Sequence, residues 1–252
     1  MSLSENHINV SLVIPCYNGS ETVANNLPDF LDYLKKKNYN FEVIIVDDGS
    51  TSPEETQKVA EQLNCRYIGL EKHGGKGAAV KAGMLAAKED FRVFTDADIP
   101  FEYENFDLFV QHLSEKEFDI VVGDRTLPDS KYYTEISRLR KFGSNIFSFI
   151  VGRFVVGGHF ADTQCGMKGF RKEVAEDIFS YCRIPSFAFD VEVLYMGLKR
   201  NYTIKKLPVQ LRRQEGSSVR VFLHGLGMVV DLFKIKRNQW RGRYVKKESK
   251  PS

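Results

Sequence analysis

Residues 91–100 read FRVFTDADIP, an apolar run from Phe91 to Thr95 that stops on two aspartates separated by one alanine. The run lacks polar alternation and is rich in β-branched and aromatic residues. That is the pattern of a strand buried on both faces, as strands are inside a parallel sheet. Asp96 and Asp98 then fall at its carboxyl end. Open α/β sheets bind ligands at that edge, and residues two apart in extended chain point the same way. Both carboxylates can therefore converge on one hard divalent cation, and a cation held there can clamp a diphosphate. Turn chemistry is the competing reading, because aspartate favours loops in any case.

Immediately upstream, HGGKGAAVKAGMLAA (residues 73–87) sets glycines and Lys76 before an alanine-rich helix. Unpaired N–H groups and the helix dipole make such an approach an anion site, to which Lys76 adds a mobile positive charge. The spacing is not GxxxxGK[ST], and a plain flexible connection is the alternative. Further upstream the same rhythm repeats. VSLVIP gives a first strand stopped by Pro15 and an Asn18-Gly19 turn, and residues 21–37 carry Val23, Leu27, Leu31 and Leu34 at helical spacing before three lysines. FEVIIV leads into Asp47-Asp48-Gly49-Ser50, after which Ser52-Pro53-Glu54-Glu55 opens a helix with an N-cap, proline at its first position and acids in the first turn. Residues 65–70 read as a third, weaker strand. Strand alternating with helix predicts an α/β fold with a doubly wound, mainly parallel sheet flanked by helices. It also makes three successive sheet-edge loops acidic, glycine-rich and acidic.

The chain has 252 residues, enough for a full core, with 42% hydrophobic and 27% charged residues, the composition of an ordinary globular domain. Thirty-six basic against 33 acidic residues leave +3, so overall charge gives no reason to expect a nucleic-acid partner. Cys16, Cys65, Cys165 and Cys182 share no metal-ligand spacing and follow no secretory signal, which predicts free thiols in a reducing, cytoplasmic compartment. No run of about 18 apolar residues is present to span a bilayer.

IPCYNG, VDDGS, GGKGAAVKAG, TDADIP, VVGDR, DTQCGMKGF and FAFDVEVLY occur in the order and spacing of the family 2 glycosyltransferases with the GT-A fold. Within that family the chain resembles the dolichyl-phosphate glucosyltransferase and polyprenyl-phosphate glycosyltransferase branch, over residues 10–232. The resemblance implies a sugar-nucleotide donor of the UDP-glucose or GDP-mannose type, a divalent cation (Mg2+ or Mn2+) and inversion at the anomeric carbon. It implies that Asp96 and Asp98 hold the metal, and that Pro15, Tyr17 and Asp47 or Asp48 hold the nucleoside. Tyr17 would cover the base, an aspartate would accept its N–H, and Lys76 and Asp96 would serve the donor phosphates. One departure is Gly19, which stands where the family usually has glutamate, with Glu21 two residues on.

On the acceptor side the resemblance points to Arg125 of VVGDR and Arg138 of SRLRKFGSN, whose guanidinium forks suit a phosphate. A lipid phosphate needs positioning more than deprotonation, because a phosphate monoester with a second pKa of about 6 is already largely ionised at neutral pH. Asp162 and Gln164 resemble residues that line the acceptor pocket. Asp190 occupies the place where relatives using hydroxyl acceptors put their base, so it either acts as a base, orders the pocket, or simply caps a helix. Asp190 and Glu192 diverge if that helix begins there. Transfer to a sugar hydroxyl in cell-envelope or glycan synthesis is the alternative activity. A phosphatase with DxD on its first strand is disfavoured because here the pair follows the fourth.

Residues 1–211 thus form the expected catalytic unit and 212–252 a basic, amphipathic segment. Val221, Phe222, Met228, Val229, Leu232 and Phe233 lie among many Arg and Lys, with Trp240 and Tyr244 late in the segment. That mixture suits a helix lying in a membrane interface, with the basic tail at 246–250 helping on anionic lipid. The enzyme would then be peripheral to the cytoplasmic face. Packing on the domain itself or on a second copy is the other reading.

Overall fold

The computed structural model describes residues 7–37, 39–131, 160–212 and 221–245, with side chains from 227 onward in the last stretch. Among them, β1 (Ile8–Cys16), β2 (Tyr39–Asp47), β3 (Arg66–Gly69), β4 (Phe91–Phe94), β5 (Ile120–Gly123), β6 (Lys168–Arg171) and β7 (Ile204–Leu207) form one sheet in the order β3-β2-β1-β4-β6-β5-β7. Every pairing is parallel except those of β6, which runs antiparallel to both β4 and β5. Helices α1 (Ser20–Lys35), α2 (Pro53–Gln62), α3 (Lys76–Ala86), α4 (Glu104–Ser114), α5 (Lys172–Tyr181), α6 (Phe189–Lys199) and α7 (Val221–Trp240) cover the two faces.

Burial on both sides explains the missing alternation. Leu12, Ile14, Val43, Ile45, Val93 and Val121 turn to a core built with Leu27, Phe30, Ala60, Phe106 and Phe109 of α1, α2 and α4. Their neighbours Val13, Ile44, Val46, Phe94, Val122 and Phe170 turn to the opposite core, with Val80, Met84, Ile178, Phe179 and Phe189 of α3, α5 and α6. Each such fully buried side chain contributes about 1.5–3 kcal/mol of transfer free energy. Arg92, the charged residue within β4, is buried too; it donates to Met84 O at 2.8 Å and pairs with Glu176 at 2.7 Å. Ser52 holds the N-cap position of α2 and Pro53 its first turn, but the serine side chain makes no capping hydrogen bond, so proline's preset φ carries that start.

The register levels the working edge. Cys16 lies opposite Asp47, and Val13 opposite Phe94, so the loops after β1, β2 and β4 leave the sheet side by side. β1 has β2 on one side and β4 on the other, which makes it the switch point of the sheet, where open α/β folds place ligands.

The inner face of α7 belongs to the body of the molecule. Leu232 and Ile235 join the core beside α6, and Asp231 and Asn238 are buried with them. Packing on the domain is therefore how one face of this basic segment is used. Among the described residues, no helix is long and apolar enough to cross a membrane. Arg138, residues 219–220 and the basic tail 246–250 lie outside the described residues.

Candidate active site

Asp96 and Asp98 follow β4, but not as extended chain. The Ile99 N–H donates to Asp96 O at 3.0 Å, closing a turn with Asp98 at its third position. Ile99 takes φ 41°, a left-handed conformation that costs a β-branched residue on the order of 1–3 kcal/mol. Burial of its side chain in the core under α1 and α4 holds it there. The shared direction expected of two residues in a strand is thus replaced by a strained turn that the core enforces.

A cation already sits on the first of the pair, because the Lys76 ammonium bonds Asp96 Oδ1. Burial alone would lower the pKa of that ammonium, yet Asp96, Asp190 and Asp98 together hold it above the ordinary lysine value. Three carboxylates thus act on the Lys76 charge, Asp96 by direct contact. The segment before β6 closes in from the other side, where a Cβ at Gly166 would overlap Asp96 Oδ2. Gly166→Ala is expected to displace Asp96 and reduce activity by roughly a hundredfold, the usual cost of an ångström's misplacement. Steady-state rates together with an unchanged far-UV spectrum would check it.

The glycine-rich loop departs from its expected use. Gly74 and Gly75 donate their N–H groups to Asp48 at 2.8 Å each, and the Gly77 and Ala78 N–H groups go to Pro185 O at 2.8 and 3.3 Å. The Gly77 and Ala78 amides in the first turn of α3 are thereby satisfied from within the chain. Asp48 is itself the anion at the Gly74 and Gly75 amides, and Lys76 is the cationic side chain that this loop presents at the site. Gly75, at φ 99°, has no room for a Cβ, which would stand 2.6 Å from Pro185 O.

At the far side of this loop, Tyr17 is exposed and its ring lies 4.0 Å from that of His73, tilted by 30°. His73 Nδ1 is 2.9 Å from Asp48 Oδ2. Asp47 is buried, with Oδ1 accepting the Ser50 N–H at 2.8 Å and Oδ2 lacking a partner among the described residues. Pro15 is half-buried near the end of β1. Asn18 and the 50–51 loop lock together through Asn18 N–H to Ser50 Oγ and Thr51 N–H to Asn18 Oδ1, at 2.8 and 2.9 Å. Tyr17, His73, Asp47 and Asp48 therefore form one shelf. Sequence reasoning passed over His73, although it directly precedes the two glycines.

Asp190 is in the first turn of α6 and is not its cap; its carboxylate is buried and accepts from Lys168 Nζ at 2.5 Å. The lysine also donates to Cys165 O at 2.7 Å. Burial pushes the Asp190 carboxyl above its ordinary value, while Lys168 and then Lys76 pull it back down. Lys168 went unremarked in the sequence, where it looks like one more strand residue. Glu192 does diverge from Asp190, accepting the Arg183 and Ile184 N–H groups and, at 2.5 Å, the Tyr244 hydroxyl. Asp231 of α7 accepts from Ser186 Oγ at 2.5 Å, so this helix steadies the 183–188 loop on which the glycine loop rests.

Arg125 and Asp162 come together. The guanidinium donates to both carboxylate oxygens at 2.7 and 2.9 Å, and the Arg125 N–H adds a third bond at 3.0 Å. Burial would raise the Asp162 carboxyl, but these bonds outweigh it and hold it below the usual range. The Gln164 N–H also donates to Asp162, at 3.1 Å.

Among the described residues, no group of three or more His, Cys, Asp and Glu is arranged to hold a metal. Asp96 and Asp98 nevertheless fit one, because their cluster already carries a cation. A metal of the Mg2+ kind is content with one or two carboxylates and takes its remaining oxygens from phosphate and water.

A sequence model described as Glycosyl transferase family 2 matches residues 11–179. The dolichyl-phosphate beta-glucosyltransferase of Dictyostelium discoideum is 34% identical over 244 residues, covering 91% of this chain and 74% of that protein. The human protein of the same name is 29% identical over 252 residues, covering 93% and 77%. Among solved structures, glucosyl-3-phosphoglycerate synthase from Mycobacterium tuberculosis, in complex with Mn2+, UDP and phosphoglyceric acid, superposes with a TM-score of 0.67 over 96% of this chain and 80% of that one. At 17% identity the likeness is one of fold.

Proposed function

The chain belongs to glycosyl transferase family 2, and from that premise we propose that it moves a glucosyl group, with inversion, from a nucleotide-diphosphate sugar to a polyprenyl or dolichyl phosphate. The curated relatives that match nine-tenths of the chain are named dolichyl-phosphate beta-glucosyltransferases, which supports glucosyl transfer to dolichyl phosphate. The observation that favours a phosphate over a hydroxyl acceptor is the state of Asp190. In the position of a base, it is buried and tied to Lys168. A hydroxyl nucleophile needs a base that can take its proton, whereas a phosphate monoester, with a second pKa of about 6, arrives already ionised. Asp190 on this reading orders the pocket floor.

Tyr17 and His73 offer a flat face to the base, and the aspartates beside them offer acceptors to its N–H. Asp96 and Asp98 would hold Mg2+ or Mn2+, which when bound stabilises the charge that builds on the departing diphosphate. Lys76 exchanges its carboxylate partners for the donor phosphates and adds a second positive charge there. Arg125, kept in place by Asp162, and Arg138 orient the acceptor phosphate on the opposite face of the sugar. The lipid tail keeps its acceptor at a bilayer, and the outer face of α7 brings the enzyme to it as a peripheral protein on the cytoplasmic side.

The deciding experiment is a screen of sugar nucleotides against a short polyprenyl phosphate with product mass as the readout. A glucosyl phospholipid is expected; transfer only to sugar hydroxyls would replace the reading. Arg125→Lys keeps the charge and loses the fork at Asp162, so the KM for lipid phosphate should rise roughly tenfold while donor hydrolysis persists. Loss of donor binding instead would move Arg125 to the other side of the pocket.

A further inference from the structure

At the end of α6 remote from Asp190, about 14 Å along the helix at 1.5 Å per residue, the chain forms an open cleft. It has a volume of about 630 Å³ and lies between α6 and the end of α7, with Tyr195, Lys199, Arg200, Tyr202, Gln239 and Tyr244 in its lining. Its charges do not balance. Asp177 is taken by the Arg200 guanidinium and by the Tyr202 hydroxyl at 2.7 Å. The ammonium groups of Lys199 and Lys236 stand 6.0 and 5.5 Å from the Tyr195 ring centroid, and among the described residues neither pairs with a carboxylate. Burial, and then the charge of Lys199, push the Lys236 ammonium below its ordinary pKa. Tyr195 is 2% exposed, and its hydroxyl has no hydrogen-bond partner among the described residues.

Beside this cleft α7 turns apolar side chains outward: Val230, Phe233 at 72% exposure and Trp240 at 83%, with Val245 just beyond the helix. Lys236 is three residues from Phe233 and four from Trp240, so on the helix surface it neighbours both. Single exposed apolar residues need no explanation. A row of them, bounded by unmatched cations and ending in tryptophan, is how a helix meets the headgroup layer of a bilayer.

We propose that the cleft takes the phosphate of an anionic phospholipid headgroup, countered by Lys199 of its lining and by Lys236 beside it, with Val230, Phe233 and Trp240 in the acyl boundary. The proposal rests on the membrane-surface reading given above and deepens it by naming the lipid class and the residues that select it. The site is separate from the one where the acceptor phosphate reacts, which lies at the other end of α6. The two ammonium groups offer donors to a phosphate oxyanion, and a diester headgroup brings its tails to the outward row.

The test uses the full chain and vesicles of phosphatidylcholine alone or mixed with phosphatidylglycerol, with binding read by flotation. Lys199→Gln/Lys236→Gln is compared with Lys58→Gln/Lys116→Gln, which removes the same charge from α2 and the α4 end, on the opposite face of the sheet. Wild type should prefer the anionic vesicles, and the cleft pair should lose on the order of 25-fold in affinity for them, from about 1 kcal/mol per lysine. The reference pair should lose no more than about threefold, being screened beyond a Debye length. Unchanged donor hydrolysis in both variants shows that they fold. Equal losses in the two pairs, or none, overturn the headgroup site while leaving membrane binding intact. Failure of the wild type to bind either vesicle overturns the membrane reading itself. A third arm titrates glycerol 3-phosphate; saturable binding that the cleft pair abolishes, without vesicle binding, would make this a soluble-anion site and overturn the lipid assignment.

Discussion

Asp98→Asn is expected to lower transferase activity by on the order of a hundredfold or more, the scale on which a positioned charge stabilises a departing anion, while the protein remains folded. The site lies at the sheet edge, and Asp98 is half exposed, so the substitution removes charge without opening a cavity. A readout independent of turnover is available. Nucleoside diphosphate with Mn2+ should raise the melting temperature of the wild type and leave that of Asp98→Asn nearly unmoved, because a ligand stabilises only what binds it. Asp96→Asn should do the same and one thing more. It removes the nearest carboxylate from Lys76, whose ammonium is held above its ordinary pKa by Asp96 first and then by Asp190 and Asp98 against the pull of burial. The lysine pKa should therefore fall in that variant, measurable by the pH dependence of its chemical labelling. Full activity of Asp98→Asn, or activity undiminished in excess chelator, would remove these two aspartates from metal binding.

Lys168→Met should destabilise the fold by about 3–5 kcal/mol, since it strands a buried carboxylate without its partner. In a chain of this size that corresponds to a loss of roughly 10 °C in Tm. The pH dependence has a definite sign. Burial already raises the Asp190 carboxyl, with Lys168 the strongest influence pulling it down, so loss of the lysine raises it further. A carboxyl whose folded pKa exceeds its unfolded value binds protons preferentially in the folded state. Its favourable contribution is complete below the unfolded pKa and is lost as pH rises through the folded one. The deficit of Lys168→Met relative to wild type should therefore be smallest in acid and grow toward neutral pH, as Tm measured across that range would record. Lys168→Met/Asp190→Leu should recover most of the stability, because replacing both members of a buried pair is close to neutral, yet it should not recover activity if Asp190 orders the pocket. Recovery of full activity would confine the pair to a structural role.

The strand and helix order, the fourth-strand position of the DxD pair, and the convergence of acidic, glycine-rich and acidic loops at one edge were all legible in the amino-acid order. Local patterning suffices for these, because a mostly apolar run without alternation, such as FEVIIV or FRVF, is accommodated with both faces covered, and a parallel order of such runs brings their ends to one edge. Tertiary structure alone decided how the charged residues at that edge are shared out. Asp48 accepts the amides of Gly74 and Gly75, 26 and 27 residues away; Lys168 reaches Asp190; and Arg125 meets Asp162 across 37 residues. It also decided that β6 enters antiparallel between β4 and β5, so that Gly166 comes to rest against Asp96. For α7 it decided which face, Leu232 and Ile235, packs inward and which, Phe233 and Trp240, is left to solvent. Hydrophobic periodicity is a property of neighbours in sequence, whereas the partner of a buried charge is whichever opposite charge the packed elements bring within hydrogen-bond reach.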